Sequence, residues 1–197
     1  MAAALAGRFR VLRFDRWTYR DGHADAAPAG AEAMAAEVAD VLAVAAAAGE
    51  RPLLVGHSSG AVVALESTLA APSAFRAMVL HEPPVAVDEP LGGEALRRVP
   101  PVWQVVRGHA PAQITDDEAI ESLGVGLGRY ARLDLPVLLP GGGRSPAHLR
   151  KRLDAVAAVL PRLEEVVVLE EQGHMANLRA PGRVADVIAA FADRLGP

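Results

Sequence analysis

The 197-residue chain contains no cysteine. That absence excludes disulfides, thiolate metal sites and a cysteine nucleophile, and it leaves the redox compartment open. An excess of positive charge is missing too: 20 basic residues stand against 24 acidic ones, for a formal net charge of −4, and the two signs are interspersed. Such a surface offers no basic field for nucleic acid and no polybasic patch for a membrane, so neither is expected as a partner. No apolar run approaches the ~18 residues needed to cross a bilayer. Met1 to Gly7 lacks the length and the basic start of a signal peptide, which makes cytoplasmic the expected location. None of the six histidines stands at a convincing metal-ligand spacing from another histidine or a carboxylate, so neither a metal nor another cofactor is expected. Internal repeats and low-complexity tracts are also lacking. What remains is an apolar chain, 51% hydrophobic with a mean hydropathy of +0.20, much of it alanine. Its length suits one domain with a real core, and residues 1–197 read as that single domain.

The residues that look chemical converge on Pro52-Leu53-Leu54-Val55-Gly56-His57-Ser58-Ser59-Gly60, followed by the helix-like run Ala61 to Leu65. An apolar strand, a serine between glycines and a helix make up the G-x-S-x-G pattern, in which small flanking residues let the helix fold back on the strand. Ser58 would then project its hydroxyl above the sheet edge. The Ser59 amide, at the start of the helix, would donate to an oxyanion. The bland alternative is a glycine-bracketed strand-to-helix turn without chemistry.

Met1 to Ala6 reads as the end of a helix stopped by Gly7, and Phe9 to Phe14 as a strand. Asp15 to Gly22 is a polar and aromatic connection, with Trp17 and Tyr19 either half buried or taking part in substrate binding. Pro28 to Ala48 carries Met34, Val38, Val41, Leu42 and Ala45 at helical spacing and stops at Gly49. The helix after Ser58 runs to about Ala70. A strand at Ala77 to Leu80 ends in His81-Glu82-Pro83-Pro84, where the prolines stop the ladder and hold Glu82 at its C-terminal end. Strands alternating with helices predict an α/β fold, a mostly parallel sheet flanked by helices, with its ligand crevice at the C-terminal ends of the strands.

Residues 85–134 break this rhythm and read as a small inserted lid. Within it, Thr115-Asp116-Asp117-Glu118 predicts a capping-box helix start, whose acids suit the helix dipole better than a metal. Gly124 to Gly128 lacks the spacing and preceding strand of a dinucleotide loop and reads as a hinge. Pro136 to Leu139 is the next strand. Ser145 is expected to cap, and Pro146 to begin, a helix with the apolar stripe Leu149, Leu153, Val156 and Leu160. Glu165 to Leu169 is the last strand, and Val184, Val187, Ile188 and Phe191 mark a closing amphipathic helix.

Between those last two elements stands His174, in Gln172-Gly173-His174-Met175-Ala176-Asn177, at the same edge of the sheet as Ser58. A histidine there could take the serine proton and return it to a leaving group, given a carboxylate to fix its tautomer. A structural histidine is the alternative. His57 is expected to point elsewhere on the turn and His81 to be packed or hydrogen-bonded. His23, His109 and His148 fall in loop or helix-surface contexts.

Together, GHSSG at Gly56 to Gly60, VLHEPP at Val79 to Pro84, PVLLPGGG at Pro136 to Gly143 and GHMAN at Gly173 to Asn177 resemble the α/β-hydrolase family. Phe14-Asp15-Arg16 is similar to the family's segment after its fourth strand, so the resemblance spans nearly the whole chain outside the lid. It implies a serine hydrolase that cleaves a small carboxylic ester or related acyl compound through an acyl-enzyme. Ser58 would be the nucleophile, His174 the base and acid, and Ser59 an oxyanion donor. The family's acid usually follows the strand matching Pro136 to Leu139, but Ser145 occupies that position and the loop Gly141 to Pro146 holds no carboxylate. Some members carry the acid one strand earlier, which points to Glu82. The family's first three strands, and the His-Gly loop with its second oxyanion donor, have no counterpart in this sequence. One such donor is typically worth ~3 kcal/mol. A member shortened in this way could complete its sheet by self-association. The competing reading is a non-catalytic or inactive truncated relative.

Overall fold

The computed structural model describes residues 1–19, 28–88 and 110–196. In chain order its elements are α1 (Ala2–Leu5), α2 (Gly30–Ala47), β1 (Leu53–His57), α3 (Ser59–Ala70), β2 (Ala77–His81), α4 (Ala110–Glu121), β3 (Val137–Gly142), α5 (Ala147–Val159), β4 (Leu163–Leu169), α6 (Ala176–Arg179) and α7 (Pro181–Arg194). Short 3-10 turns occur at Trp17–Tyr19, Pro72–Ala74 and Gly128–Arg132. The four strands lie side by side in the order β1-β2-β3-β4 and all run parallel. The fold is α/β, as the alternation of patterns predicts.

Every residue of β2 and β3 is buried, because both faces of these central strands are covered. Successive side chains go to opposite sides. Met78 and Leu80 of β2, with Val137 and Leu139 of β3, enter a cluster with residues of α2, α3, α4 and α5. Ala77, Val79 and Leu138 enter a second cluster with α1, α6 and α7. The predicted stripe of α7 faces that second cluster through Val184, Ile188 and Phe191, each worth roughly 1.5–3 kcal/mol of apolar burial.

Three local expectations fail, each for a physical reason. Phe9 to Phe14 forms no strand. Phe9 and Val11 pack on the α7 side and Phe14 on the α2 side, so the alternation is present, but the segment joins no ladder. A strand is defined by its neighbour's hydrogen bonds, and among the described residues β1 pairs only with β2. Val55, on that edge strand, is 36% exposed. Thr115 does not open a helix: α4 begins at Ala110, and Asp116 and Asp117 are buried inside it. Asp116 answers to an ion pair with Arg16 rather than to the helix dipole, while burial pushes the Asp117 carboxyl up to about 6. Helix α5 starts after Pro146, and the Ser145 side chain turns inward instead of capping it.

His23, His109 and residues 89–109 of the expected lid lie outside the described residues. Among the described residues no group of acids and histidines is placed to hold a metal. No helix there is long and apolar enough to cross a membrane.

The closest approach of strand and helix is at Gly56, where a Cβ would lie 2.5 Å from Ala61 Cα and 2.5 Å from Gly60 O. Backbone atoms cannot step aside as a side-chain tip can. Gly56→Ala is therefore expected to lower stability by at least about 1–3 kcal/mol. Urea unfolding measures this, and an unchanged midpoint would contradict the packing of β1 on α3.

Candidate active site

The chain leaves β1 at His57 and enters α3 at Ser59, with Ser58 alone between them. Ser58 takes φ 53° and ψ −128°, a conformation that costs a residue with a Cβ on the order of 1–3 kcal/mol. Two hydrogen bonds hold it there. Its amide donates to His81 O at 2.9 Å, and its own carbonyl accepts from Ala61 N–H at 2.8 Å. The turn leaves the serine side chain at the mouth of the sheet and the Ser59 amide in the first turn of α3, where that N–H has no intrahelical partner.

Strand β2 ends in a related way. Glu82 has φ 48° and is fully buried. The β2–β3 ladder stops at the Val79–Leu138 pair, whereas the β3–β4 ladder continues to Gly142. The Glu82 side chain lies in the resulting split, and the Gly142 N–H donates to its Oε1 at 2.8 Å. A Cβ on Gly141 would come within 3.5 Å of that oxygen and 2.6 Å of Leu153; one on Gly142 would meet Gln172 O at 2.6 Å. Bare glycine backbone thus admits the carboxylate from one side and the turn before His174 from the other.

His174 closes the series. Its Nδ1 lies 2.7 Å from Glu82 Oε2 and its Nε2 lies 3.1 Å from Ser58 Oγ. Burial by itself would push the Glu82 carboxyl up. Hydrogen bonding from His174 and the Gly142 amide prevails and brings it down to about 2. An ionised carboxylate only accepts, so the neutral ring carries its proton on Nδ1 and offers the Nε2 lone pair to the serine. Such an arrangement can draw the proton from a serine hydroxyl as it attacks and hand it on afterwards.

Ser58, Ser59, Glu82 and His174, selected from the sequence, are therefore neighbours at the C-terminal ends of β1, β2 and β4. His57 does not point away from them, contrary to expectation. Its Nε2 is 2.8 Å from the His174 carbonyl, and its ring centroid is 4.7 Å from that of His174 and 4.9 Å from that of His81. The β1–β2 register, which pairs His57 with His81, explains the stack; no motif in the sequence announces it. His81 is packed at 2% exposure, and neither ring nitrogen finds a hydrogen-bond partner among the described residues. Burial lowers the pKa of His57 and brings that of His81 to about 4, so both rings are neutral near neutral pH. Nor does any motif announce Glu37 of α2, whose carboxylate is buried beside Arg16.

A model of the alpha/beta hydrolase family matches residues 1–187. The chain belongs to that family. Among solved structures, this alpha/beta hydrolase is similar to a hydrolase from Pseudomonas aeruginosa PA01, with 20% identity, 99% of this chain and 83% of the other covered, and a TM-score of 0.75. A serine hydrolase from Cycloclasticus zankles aligns at 15% identity over 92% of this chain and 78% of its own, with a TM-score of 0.69. A meta-cleavage product hydrolase from Pseudomonas fluorescens IP01 aligns at 14% identity over 98% and 82%, also with a TM-score of 0.69. At these identities the likeness is one of fold. No curated protein matches the sequence.

Two tests follow from the geometry of this hydrolase. Glu82→Gln, which keeps the shape but loses the charge that fixes the His174 tautomer, is expected to reduce turnover about 10³–10⁴-fold. Ser145→Ala should cost far less, and the reverse order in steady-state kinetics would contradict the assignment of the acid's role to Glu82.

Acid stability provides the second. Glu82 is held below its unfolded value of 4.5, so its contribution is complete above that pH and is lost toward about 2. His81 is harder to protonate folded, at about 4, than unfolded, at 6.5, so it too withdraws stability as pH falls through that window. His81→Phe should move the acid-unfolding midpoint, followed by circular dichroism, to lower pH.

Proposed function

We propose that this alpha/beta hydrolase is a serine hydrolase that cleaves small carboxylic esters or related acyl compounds through an acyl-enzyme. The observation that supports it is the unbroken hydrogen-bonded series from Ser58 through His174 to Glu82. Ser58 Oγ attacks the acyl carbon while His174 Nε2 takes its proton. Glu82 holds the ring through Nδ1–H and stabilises the imidazolium that forms, without itself becoming protonated. The Ser59 amide donates to the carbonyl oxygen as charge gathers there, helped by the dipole of α3. His174 returns the proton to the departing alcohol. Water, deprotonated at the same nitrogen, then attacks the acyl-enzyme and frees Ser58. The insertion between β2 and β3, through its described residues 110–134, would serve as a lid over the acyl group. A serine at the elbow argues against the dehalogenase and epoxide hydrolase chemistries, which use an aspartate there.

A fluorophosphonate probe followed by intact mass tests the reading. One adduct per chain is expected on the native protein and none on Ser58→Ala. Folded native protein that takes up no probe would refute it.

A further inference from the structure

A charge cluster reaches the Ser59 side chain, the residue after Ser58, and has no place in the mechanism above. Arg16, just before the Trp17–Tyr19 turn, has a side chain that is only 15% exposed. Its Nη2 donates to both oxygens of Asp116 on α4, at 2.5 and 2.6 Å, and its Nε lies 3.5 Å from Glu37 Oε2 on α2. The guanidinium carbon lies 5.0 Å from the centroid of the Tyr19 ring, and the Tyr19 hydroxyl donates to Asp116 at 2.8 Å. Glu37 is gripped in turn by the Thr18 amide at 2.9 Å and by the Thr18 hydroxyl. Burial works against the charge of Arg16, but the two carboxylates more than offset it and raise its pKa above the ordinary value. Nη2 is thus fixed on Asp116, and Nε faces the Glu37 carboxylate at ion-pair distance. The third nitrogen, Nη1, meets only Ser59 Oγ among the described residues, at 3.5 Å. That distance is the outer limit of a hydrogen bond, so Nη1 keeps donor capacity in reserve at the start of α3.

We propose that Arg16 Nη1 is the second donor to the acyl oxygen, acting beside the Ser59 amide when Ser58 attacks. The inference rests on the serine hydrolase reading. An oxyanion site works when its donors are already in place before charge appears, and the Asp116 and Glu37 contacts hold the guanidinium in one position. A guanidinium stays charged at any working pH and donates from a planar fork, which suits an oxygen that gains charge only during attack. Two carboxylates around one cation do not draw in a substrate that is already negative. The ligand class is therefore neutral acyl compounds.

The rate at which a fluorophosphonate labels Ser58 tests this without knowledge of the natural substrate, because the probe's phosphoryl oxygen occupies the place of the acyl oxygen. Arg16→Ala is expected to slow labelling about 10²–10³-fold, the typical effect of losing one such donor. Added guanidinium ion, which can enter the space left by the side chain, should restore about tenfold, and methylammonium, lacking the planar fork, should not. Circular dichroism checks the fold. If the single variant is unfolded, the double variant Arg16→Met with Asp116→Asn removes the paired charges together and, read by its labelling rate alone because methionine fills the space, is expected to show the same slowing. Labelling within about threefold of native, or a loss that guanidinium leaves untouched, overturns the role of Arg16 while Ser58 still reacts. Failure of the native protein to label at all overturns the hydrolase reading and this inference together.

Discussion

The hydrogen bond from the Gly142 amide to Glu82 Oε1 ties the acid of the site to the sheet itself. A carboxylate buried in a parallel sheet is tolerable only where backbone donors or charged partners meet it. The sheet supplies such a donor because β2 and β3 part company after Leu138, leaving the Gly142 N–H for a side chain to claim. The second carboxylate oxygen then has a fixed direction, and that direction sets the plane and tautomer of His174. Ser58 comes last in this order of dependence, since the lone pair it meets exists only because the opposite ring nitrogen is already committed.

Much of the frame was legible in the residues. The strand runs beginning at Pro52, Ala77, Pro136 and Glu165, and the stripes of α2, α5 and α7, follow from apolar patterning. The G-x-S-x-G turn and His174 were recognisable as motifs, and Glu82 emerged because the loop around Ser145 has no acid to offer. Phe9 to Phe14 misled because side-chain alternation signals two covered faces, whereas a ladder also requires a neighbour to pair with. Thr115 misled because a local capping pattern is silent about distant partners: Asp116 is answered by Arg16, a hundred residues earlier in the chain. The stack of His57, His81 and His174 was invisible for the same reason, since it is created by register.

The polar interior around the site separates into charged and neutral parts. On the side of α2 and α4, Arg16 is balanced by Glu37 and Asp116. On the side of β1 and β2, His57 and His81 are kept neutral by burial. Histidinium rings at these positions would face His174 directly and oppose the charge it must acquire to accept a proton. A neutral imidazole at His81, without a hydrogen-bond partner among the described residues, is the smaller cost.

Ser58 and Glu82 share one more property. Each is the residue that follows a strand-terminal histidine, the two histidines are paired, and both followers have positive φ. Adjacent parallel strands thus leave the sheet through the same kind of backbone kink at the same level, once to lift a hydroxyl and once to sink a carboxylate. A slip of β1 against β2 by a single residue would move one kink about 3.3 Å past the other and exchange the faces of the strand. The kinked pair therefore acts as a vernier for chain alignment. If the protein is the serine hydrolase proposed, molecules that mature with the wrong strand register would retain their secondary structure and yet be silent towards the fluorophosphonate, so the labelled fraction would count the correctly aligned ones.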